Sequence, residues 1–423
     1  MVSQHAARGN VNGELNERRP ALQRWLSERL GARASSVDLR NIWRLSAGHS
    51  NETFALEVSW SEAGARRNQV FVLRTRPEGE GLLEPYDVLK QYRVMKALEE
   101  SDVPAPKMYW AESDESVIGR PFFVMEKLDG VIVEFEIPDY LQSAPPEKIR
   151  RMCTRYAEVF AAIHRIDWKA RGLDFLSQGG NPVERELGWW EAELRRVQPG
   201  PLPAFDVLNR WLREHMPKPS PAVTLVHGDP KPGNIFFKDE EIVGVFDWEM
   251  TTVGDPMVDV GWVAFLWRGG VGGLSSLPGA LTLDEFLSIY QARSGVTVHD
   301  LLFYEMLAGF KVVVIHLLAS MLFQKEKSAD LRFAWLGQLI PVLMRDILPR
   351  IGAAADTPVG NVVPSWARIS AGVRNAMIGL IVPETSSLVA RTQALAITGI
   401  LDSVASGIAP EPVNANSSQT KPG

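Results

Sequence analysis

Cysteine is nearly absent: Cys153 is the only one among 423 residues. A single thiol cannot close an internal disulfide or build a thiolate zinc site. Such a chain is compatible with a reducing compartment, and a cytoplasmic location is expected. Basic runs are also absent. Lys plus Arg number 45 against 51 Asp plus Glu, a formal charge of -6. The electrostatic footprint of a nucleic-acid binder is therefore missing, and no nucleic-acid partner is expected. Met1–Pro20 contains no apolar block of the kind a signal peptide needs. The most apolar later stretch, Met306–Phe323, is interrupted by Lys311 and His316, which favours a buried helix over a membrane span. No membrane partner is expected. There is no internal repeat. What remains is ordinary for a folded chain, with 45% hydrophobic and 23% charged residues. At ~100–200 residues per domain the length allows two or three domains.

The hydrophobic pattern divides the chain. Residues 18–30 read as a helix, with Leu22, Trp25, Leu26 and Leu30 on one face and Gly31 as a stop. Strand-like runs follow at 53–59, 70–74 and 121–126, with a helix at 87–99 between them. From about residue 145 the pattern turns to helices, at 147–166, 184–196, 204–216, 283–293, 300–323 and 330–348. One strand cluster, 223–248, interrupts them. Strands and helices segregated in this way imply an α+β arrangement with two lobes. The expected divisions are 1–124 for a strand-rich N-lobe, 125–130 for a hinge and 131–350 for a mainly helical C-lobe. A C-terminal helical extension at 351–406 and a disordered tail at 407–423 complete the chain.

The chemistry is concentrated in Leu225–Trp248, LVHGDPKPGNIFFKDEEIVGVFDW. Pro230, Pro232 and Gly233 prevent a helix, so His227–Asn234 forms a loop. Ile235–Phe237 and Ile242–Asp247 then read as a hairpin about a polar turn at Lys238–Glu241. This places Asn234 almost opposite Asp247, and antiparallel partners sit ~4.5–5.5 Å apart at Cα. Two oxygen-bearing side chains so placed can share a hard cation such as Mg²⁺. Asp229, on the loop just before them, can then meet an incoming hydroxyl. That is the division of labour in phosphoryl transfer: one carboxylate orients the acceptor, while an Asn and a second Asp hold the metal on the phosphates. The Asp-x4-Asn loop matches the kinase template. It opens with His-Gly-Asp rather than His-Arg-Asp, and Asp247-Trp248-Glu249 stands where Asp-Phe-Gly would.

His227–Asn234, Phe246–Glu249 and Gly254-Asp255-Pro256 with Asp259-Val260-Gly261-Trp262 resemble the aminoglycoside phosphotransferase/choline kinase superfamily. The resemblance is nearest to the branch that includes kinase-like domains fused to some acyl-CoA dehydrogenases, and spans roughly residues 15–345. It implies a bilobal protein-kinase-like fold with an extra C-terminal helical segment. It implies Asp229 as the catalytic base and Asn234 and Asp247 as Mg²⁺ ligands. His227 would brace the loop, and Asp255 and Asp259 would form a scaffold beneath it. Glu249 could support the metal Asp or be an exposed strand-end carboxylate.

On the nucleotide side the resemblance implies ATP, with GTP not excluded. Ser46–Asn51 sits where a phosphate-covering loop belongs, which makes Ser50 and Asn51 candidates, although an ordinary hairpin turn would read the same way. Phe123–Glu126 resembles the hinge that pairs with adenine, so Glu126 and Leu128 are cofactor-binding candidates by position. Two positions depart from the kinase pattern. Arg74 stands where the third strand would carry the phosphate-gripping Lys, and Gln91 where a helix Glu would brace it. Arg74 can hold phosphate bidentately or be a solvated strand-end charge. Gln91 fits that place in position but not in charge.

The resemblance and the residues together imply an ATP- and Mg²⁺-dependent kinase that acts on an alcohol group of a small molecule. Polycationic aminoglycosides would favour a dense acidic wall. Residues 262–345 instead carry six scattered acids, Asp284, Glu285, Asp300, Glu305, Glu326 and Asp330, balanced by bases. A neutral or anionic hydroxylated metabolite, a hydroxyacyl thioester among them, is the favoured acceptor. Trp189, Trp190, Trp262 and Trp267 could line its pocket or pack the core. The alternative is a nucleotide-binding scaffold with weak catalysis, which Gln91 beside Arg74 would suit. His164 reads as a buried, hydrogen-bonded histidine and Cys153 as a buried thiol. The oligomeric state is left open.

Overall fold

The computed structural model describes residues 13–45, 51–77, 81–134, 137–218, 222–269 and 273–382. Two helices, α1 (Gly13–Glu17) and α2 (Arg19–Leu30), lead into an antiparallel sheet. Its strands are β1 (Ala34–Arg44), β2 (Glu52–Glu62), β3 (Ala65–Thr75), β4 (Met108–Glu112) and β5 (Phe122–Glu126), in spatial order β1-β2-β3-β5-β4. Helix α3 (Val88–Leu98) lies between β3 and β4 in the chain. Period-2 alternation assigns each face of the sheet. Phe71, Leu73, Phe122 and Val124 pack with Leu22, Trp25 and Leu26 of α2. Val72, Phe123 and Met125 join the larger core with Val88, Val94, Met95 and Leu98 of α3.

Val131 ties the start of the second lobe to the later hairpin through paired 2.8 Å bonds with Phe237. Helices α4 (Asp139–Gln142), α5 (Pro146–His164), α6 (Pro182–Val197) and α7 (Pro203–Glu214) follow. Four short strands come next: β6 (Thr224–Val226), β7 (Ile235–Lys238), β8 (Glu241–Val245) and β9 (Thr252–Gly254). β6 pairs with β9 and β7 with β8. Helices α8 (Met257–Arg268), α9 (Leu283–Ser294), α10 (Leu301–Gln324), α11 (Leu331–Arg350) and α12 (Trp366–Ala376) complete the lobe.

Helix α10 is long and apolar enough to cross a membrane by length and composition, yet 83% of its most apolar window is buried against protein. It runs against α6, α7, α8 and α11. Gly261 of α8 allows one of these approaches, because a Cβ there would lie 2.4 Å from the Tyr304 backbone. The buried helix expected at 306–323 is therefore the axis of the C-lobe core.

The two-lobed α+β arrangement is as expected, and every helix and strand expected from the pattern within the described residues is present. The sequence pattern left out the short α1, α4 and β9, and also β1, β4 and α8. Bulges between Ser35 and Asp38 and between Leu39 and Asn41 break the alternation of β1. Met257–Phe265 of α8 is buried at nine successive positions, so it has no polar face to mark a helical period. The extension at 364–406 begins with α12, while residues 383–406 and the tail lie outside the described residues.

Candidate active site at the β6–β7 loop

The loop His227–Asn234 is held from beneath by one carboxylate. Asp259, in the first turn of α8, is fully buried. Its Oδ2 accepts the His227 backbone N–H at 2.7 Å and its Oδ1 accepts that of Gly228 at 2.8 Å. His164 Nε2 lies 3.1 Å from Asp259 Oδ2, and His164 Nδ1 lies 2.6 Å from the Tyr290 hydroxyl. Burial alone would raise the Asp259 pKa, but the hydrogen bond and charge of His164, with His227, hold it below the ordinary carboxylate range. Asp255 accepts the Met257 N–H and the Tyr304 hydroxyl, each at 2.9 Å. Asp259 thus holds the loop directly, whereas Asp255 fixes the start of α8 and ties it to α10. His227 braces the loop, with Nε2 2.9 Å from the Phe246 carbonyl and its ring 4.5 Å from that of Trp248. Tyr156 of α5 donates to the Pro230 carbonyl.

Gly228 sits at φ +90, where an L side chain is strained, and a Cβ there would lie 2.5 Å from the Met250 carbonyl oxygen. This turn presents Asp229. The amide nitrogen of Asn234 donates to the Asp229 carbonyl at 2.8 Å and to its Oδ2 at 3.0 Å. Asp229 Oδ1 is buried and has no hydrogen-bond partner. Burial pushes the Asp229 pKa up, with Asp247 and Glu134 adding to the rise and Lys231 and His227 opposing it. Lys231 lies 3.7 Å from Asp229 Oδ2 and 3.1 Å from Glu134 Oε1. Burial would lower the Lys231 pKa, but the Asp229 and Glu134 carboxylates carry it well above its ordinary value. Sequence reasoning missed Lys231 and Glu134. Lys231 lay inside the motif at Asp229-Pro230-Lys231, whereas nothing in the chain ties Glu134 to a loop about 95 residues later.

The hairpin turn is the pair Asp239-Glu240, and a bulge at Phe236/Phe237 shifts its register by one residue. Phe246, not Asp247, therefore faces Asn234, with its N–H 2.9 Å from the Asn234 carbonyl. Asp247 comes one residue later in a left-handed conformation, φ 65 and ψ 52. Arg74 of β3 ion-pairs with the Asp247 carboxylate, while its own Nε is buried without a partner. Arg74 is thus neither a solvated strand end nor paired with α3. Gln91 is buried on α3, and its Oε1 has no hydrogen-bond partner.

Asn51 and Glu249 connect the lobes. Asn51 Nδ2 donates to Glu249 Oε2 at 2.9 Å, and Lys90 of α3 donates to the Glu249 carbonyl at 2.6 Å. Glu249 is therefore not an exposed strand-end carboxylate. Ser50 lies outside the described residues. At the hinge, the Glu126 N–H bonds the Lys107 carbonyl at 2.8 Å, and Leu128 lies over Gly244. Trp190 and Trp262 are buried, whereas Trp189 is exposed. Trp267 stacks with Tyr156 and donates to the Leu281 carbonyl, so it packs the core. Burial raises the Cys153 thiol to about 11, which leaves it unreactive at neutral pH.

The model of the phosphotransferase enzyme family matches residues 41–295. Acyl-CoA dehydrogenase family member 10 of Mus musculus is 28% identical over 307 residues, 70% of this chain and 27% of that protein. Acyl-CoA dehydrogenase family member 11 of Mus musculus is 30% identical over 293 residues, 65% of this chain and 35% of that protein. The chain thus spans about a quarter to a third of the length of these curated relatives. Among solved structures, a candidate aminoglycoside phosphotransferase of Ralstonia eutropha is 26% identical with a TM-score of 0.63, covering 79% of this chain and 98% of its own. An aminoglycoside phosphotransferase solved with GDP and kanamycin shares the fold at 16% identity and a TM-score of 0.51, covering 74% of this chain and 94% of its own. With the family's model matched over more than half its length, and the loop and hairpin built as above, this chain belongs to the phosphotransferase enzyme family.

Proposed function

We propose that the protein is an ATP- and Mg²⁺-dependent phosphotransferase that moves the γ-phosphoryl group to a hydroxyl of a small metabolite, neutral or anionic. The observation that carries this reading is Asp229, a half-buried carboxylate with one oxygen fixed by Asn234 and the other unpartnered. The unpartnered Oδ1 would orient an acceptor hydroxyl for in-line attack and accept its proton. Its raised pKa makes it a better proton acceptor than an ordinary carboxylate.

The donor set fits a hard divalent cation. Asn234 spends its amide nitrogen on Asp229, which leaves an oxygen, and Asp247 adds a carboxylate. Among the described residues no three His, Cys, Asp or Glu groups cluster as a metal site. The pair would therefore hold Mg²⁺ together with phosphate oxygens, and the ion would supply charge neutralisation there. Arg74, whose Nε lacks a partner, would contact the phosphates. Asn51, whose Oδ1 is buried and unpartnered, would contact them, with Ser50 as a further candidate. Glu126 and Leu128 would flank the base.

Ion pairing supports a neutral or anionic acceptor over an aminoglycoside. Glu285 pairs with Arg150, Glu305 with Arg268 and Arg350, Glu326 with Arg368, and Asp330 with Arg332. Acids already neutralised by arginine make a poor wall for a polycation. A cytoplasmic location is part of the proposal, on the buried single thiol.

A second reading, a nucleotide-binding scaffold with weak catalysis, is favoured by Gln91 in place of a carboxylate and by Arg74 resting on Asp247. One panel separates the two: ADP release with hydroxyacyl thioesters, aminoglycosides, choline and macrolides side by side. Turnover of any acceptor rejects the scaffold. Asp229→Ala is then expected to lower kcat by about 10²–10⁴ while calorimetric ATP binding stays near wild type. Wild-type turnover by that variant would overturn the role of Asp229.

A further inference from the structure

Lys311 lies midway along α10 and is fully buried. A buried ammonium is costly unless it is paired and hydrogen-bonded, and nothing in the chemistry above uses it. Its Nζ lies 2.7 Å from Glu186 Oε1 of α6 and 3.2 Å from the Gly228 carbonyl oxygen. The ring centroids of Trp262 and Trp190 lie 5.0 and 5.6 Å away. Trp190 Nε1 donates to the same Glu186 oxygen at 3.0 Å. The amine is therefore caged by two indoles and a carboxylate, and its remaining contact is with the catalytic loop.

That contact falls on the peptide group leading into Asp229. The Gly228 N–H is held by Asp259 at 2.8 Å and its carbonyl by Lys311 at 3.2 Å. The Asp229 N–H, on the far side of the same peptide, points to His227 Nδ1 at 3.3 Å. We infer that Lys311 is a positioning residue: it fixes the plane of the Gly228–Asp229 peptide and so the direction of the Asp229 carboxylate. Glu186 is the counter-charge that keeps the buried amine in place. This inference rests on the phosphotransferase reading above.

The test compares Lys311→Met, Lys311→Arg and the double variant Lys311→Met with Glu186→Gln in the full chain. The double variant leaves no orphaned charge, so it guards against a folding failure of the single one. Kinetics are read with ATP and the best acceptor of the panel. Amide exchange is read over residues 225–234. Lys311→Met should lose about 10–100-fold in kcat, the scale of a small misplacement of a reacting group. KM for ATP should hold within about threefold, because the lost contact orients the base and does not bind nucleotide. Exchange at Gly228 and Asp229 should quicken. The double variant should show the same losses.

Lys311→Arg is bulkier but still donates, and should recover part of kcat relative to Met. A role in packing alone gives the reverse order and overturns the inference. So do wild-type kcat and wild-type exchange in a folded Met variant. If the wild type turns over no acceptor, the phosphotransferase reading falls. The exchange measurement still decides the positioning claim in that case, since unchanged protection of the Gly228 and Asp229 amides refutes it.

Discussion

Asp259 shows what a single side chain can organise. It has no surface exposure, and it receives two backbone donors and one histidine. Removing one partner of a buried charged pair typically costs about 3–5 kcal/mol. Asp259→Asn keeps the size but loses the charge that faces His164. We expect its unfolding free energy from urea titration to fall by an amount in that range, and kcat to fall with it because one of the His227 and Gly228 N–H groups would then face an amide donor. A stability unchanged within about 0.5 kcal/mol would show that the site does not depend on this carboxylate. The motif residues were legible in the sequence because phosphoryl transfer demands particular side chains at particular spacings. Lys311 and Glu134 were not, because they reach the loop from elements distant in sequence, where a lysine or a glutamate reads as a solvated charge. Arg74 was placed on the right strand, but its partner proved to be Asp247 and not a residue of α3.

At the scale of elements, α2 is clasped to β4 by Glu112. Its carboxylate accepts Trp25 Nε1 at 2.7 Å and pairs with Arg29 at 2.8 Å. Burial pushes the Glu112 pKa up, but the Asp114 N–H, Trp25 and Arg29 together hold it at about 2, below the ordinary 4.5. A carboxylate depressed on folding stabilises fully above its unfolded value and loses that contribution as pH falls through the folded one. Wild type should therefore melt above Glu112→Gln at pH 6, and the gap should close between about pH 4.5 and 2. A gap independent of pH would mean that the clasp is not electrostatic. Elements with one apolar face, such as α2 and α3, could be read from their period. Strand β1 could not, because its bulges reverse the alternation. Helix α8 could not, because a helix buried all round has no period to read.

Across the whole molecule, the sequence showed two lobes through the change from strands to helices near residue 145. How the lobes are joined was not legible. Asn51 and Lys90 both reach Glu249, and Arg171 donates to the Ala97 and Glu99 carbonyls at the end of α3. These contacts cross gaps of about 70 to 200 residues, and no local pattern records them. The burial of α10 carries a consequence for biogenesis. The helix is made before α11, which packs on it and buries Phe333, Leu336, Ile340, Met344 and Ile347. A nascent chain that has reached only Gln324 can pack α10 on α6, α7 and α8 but leaves bare the face that α11 covers, an apolar surface that chaperones would recognise. Chains truncated at Gln324 should partition into the insoluble or chaperone-bound fraction, while chains ending after Ile351 should stay in the supernatant on centrifugation. Equal solubility of the two would show that α11 is not the cover.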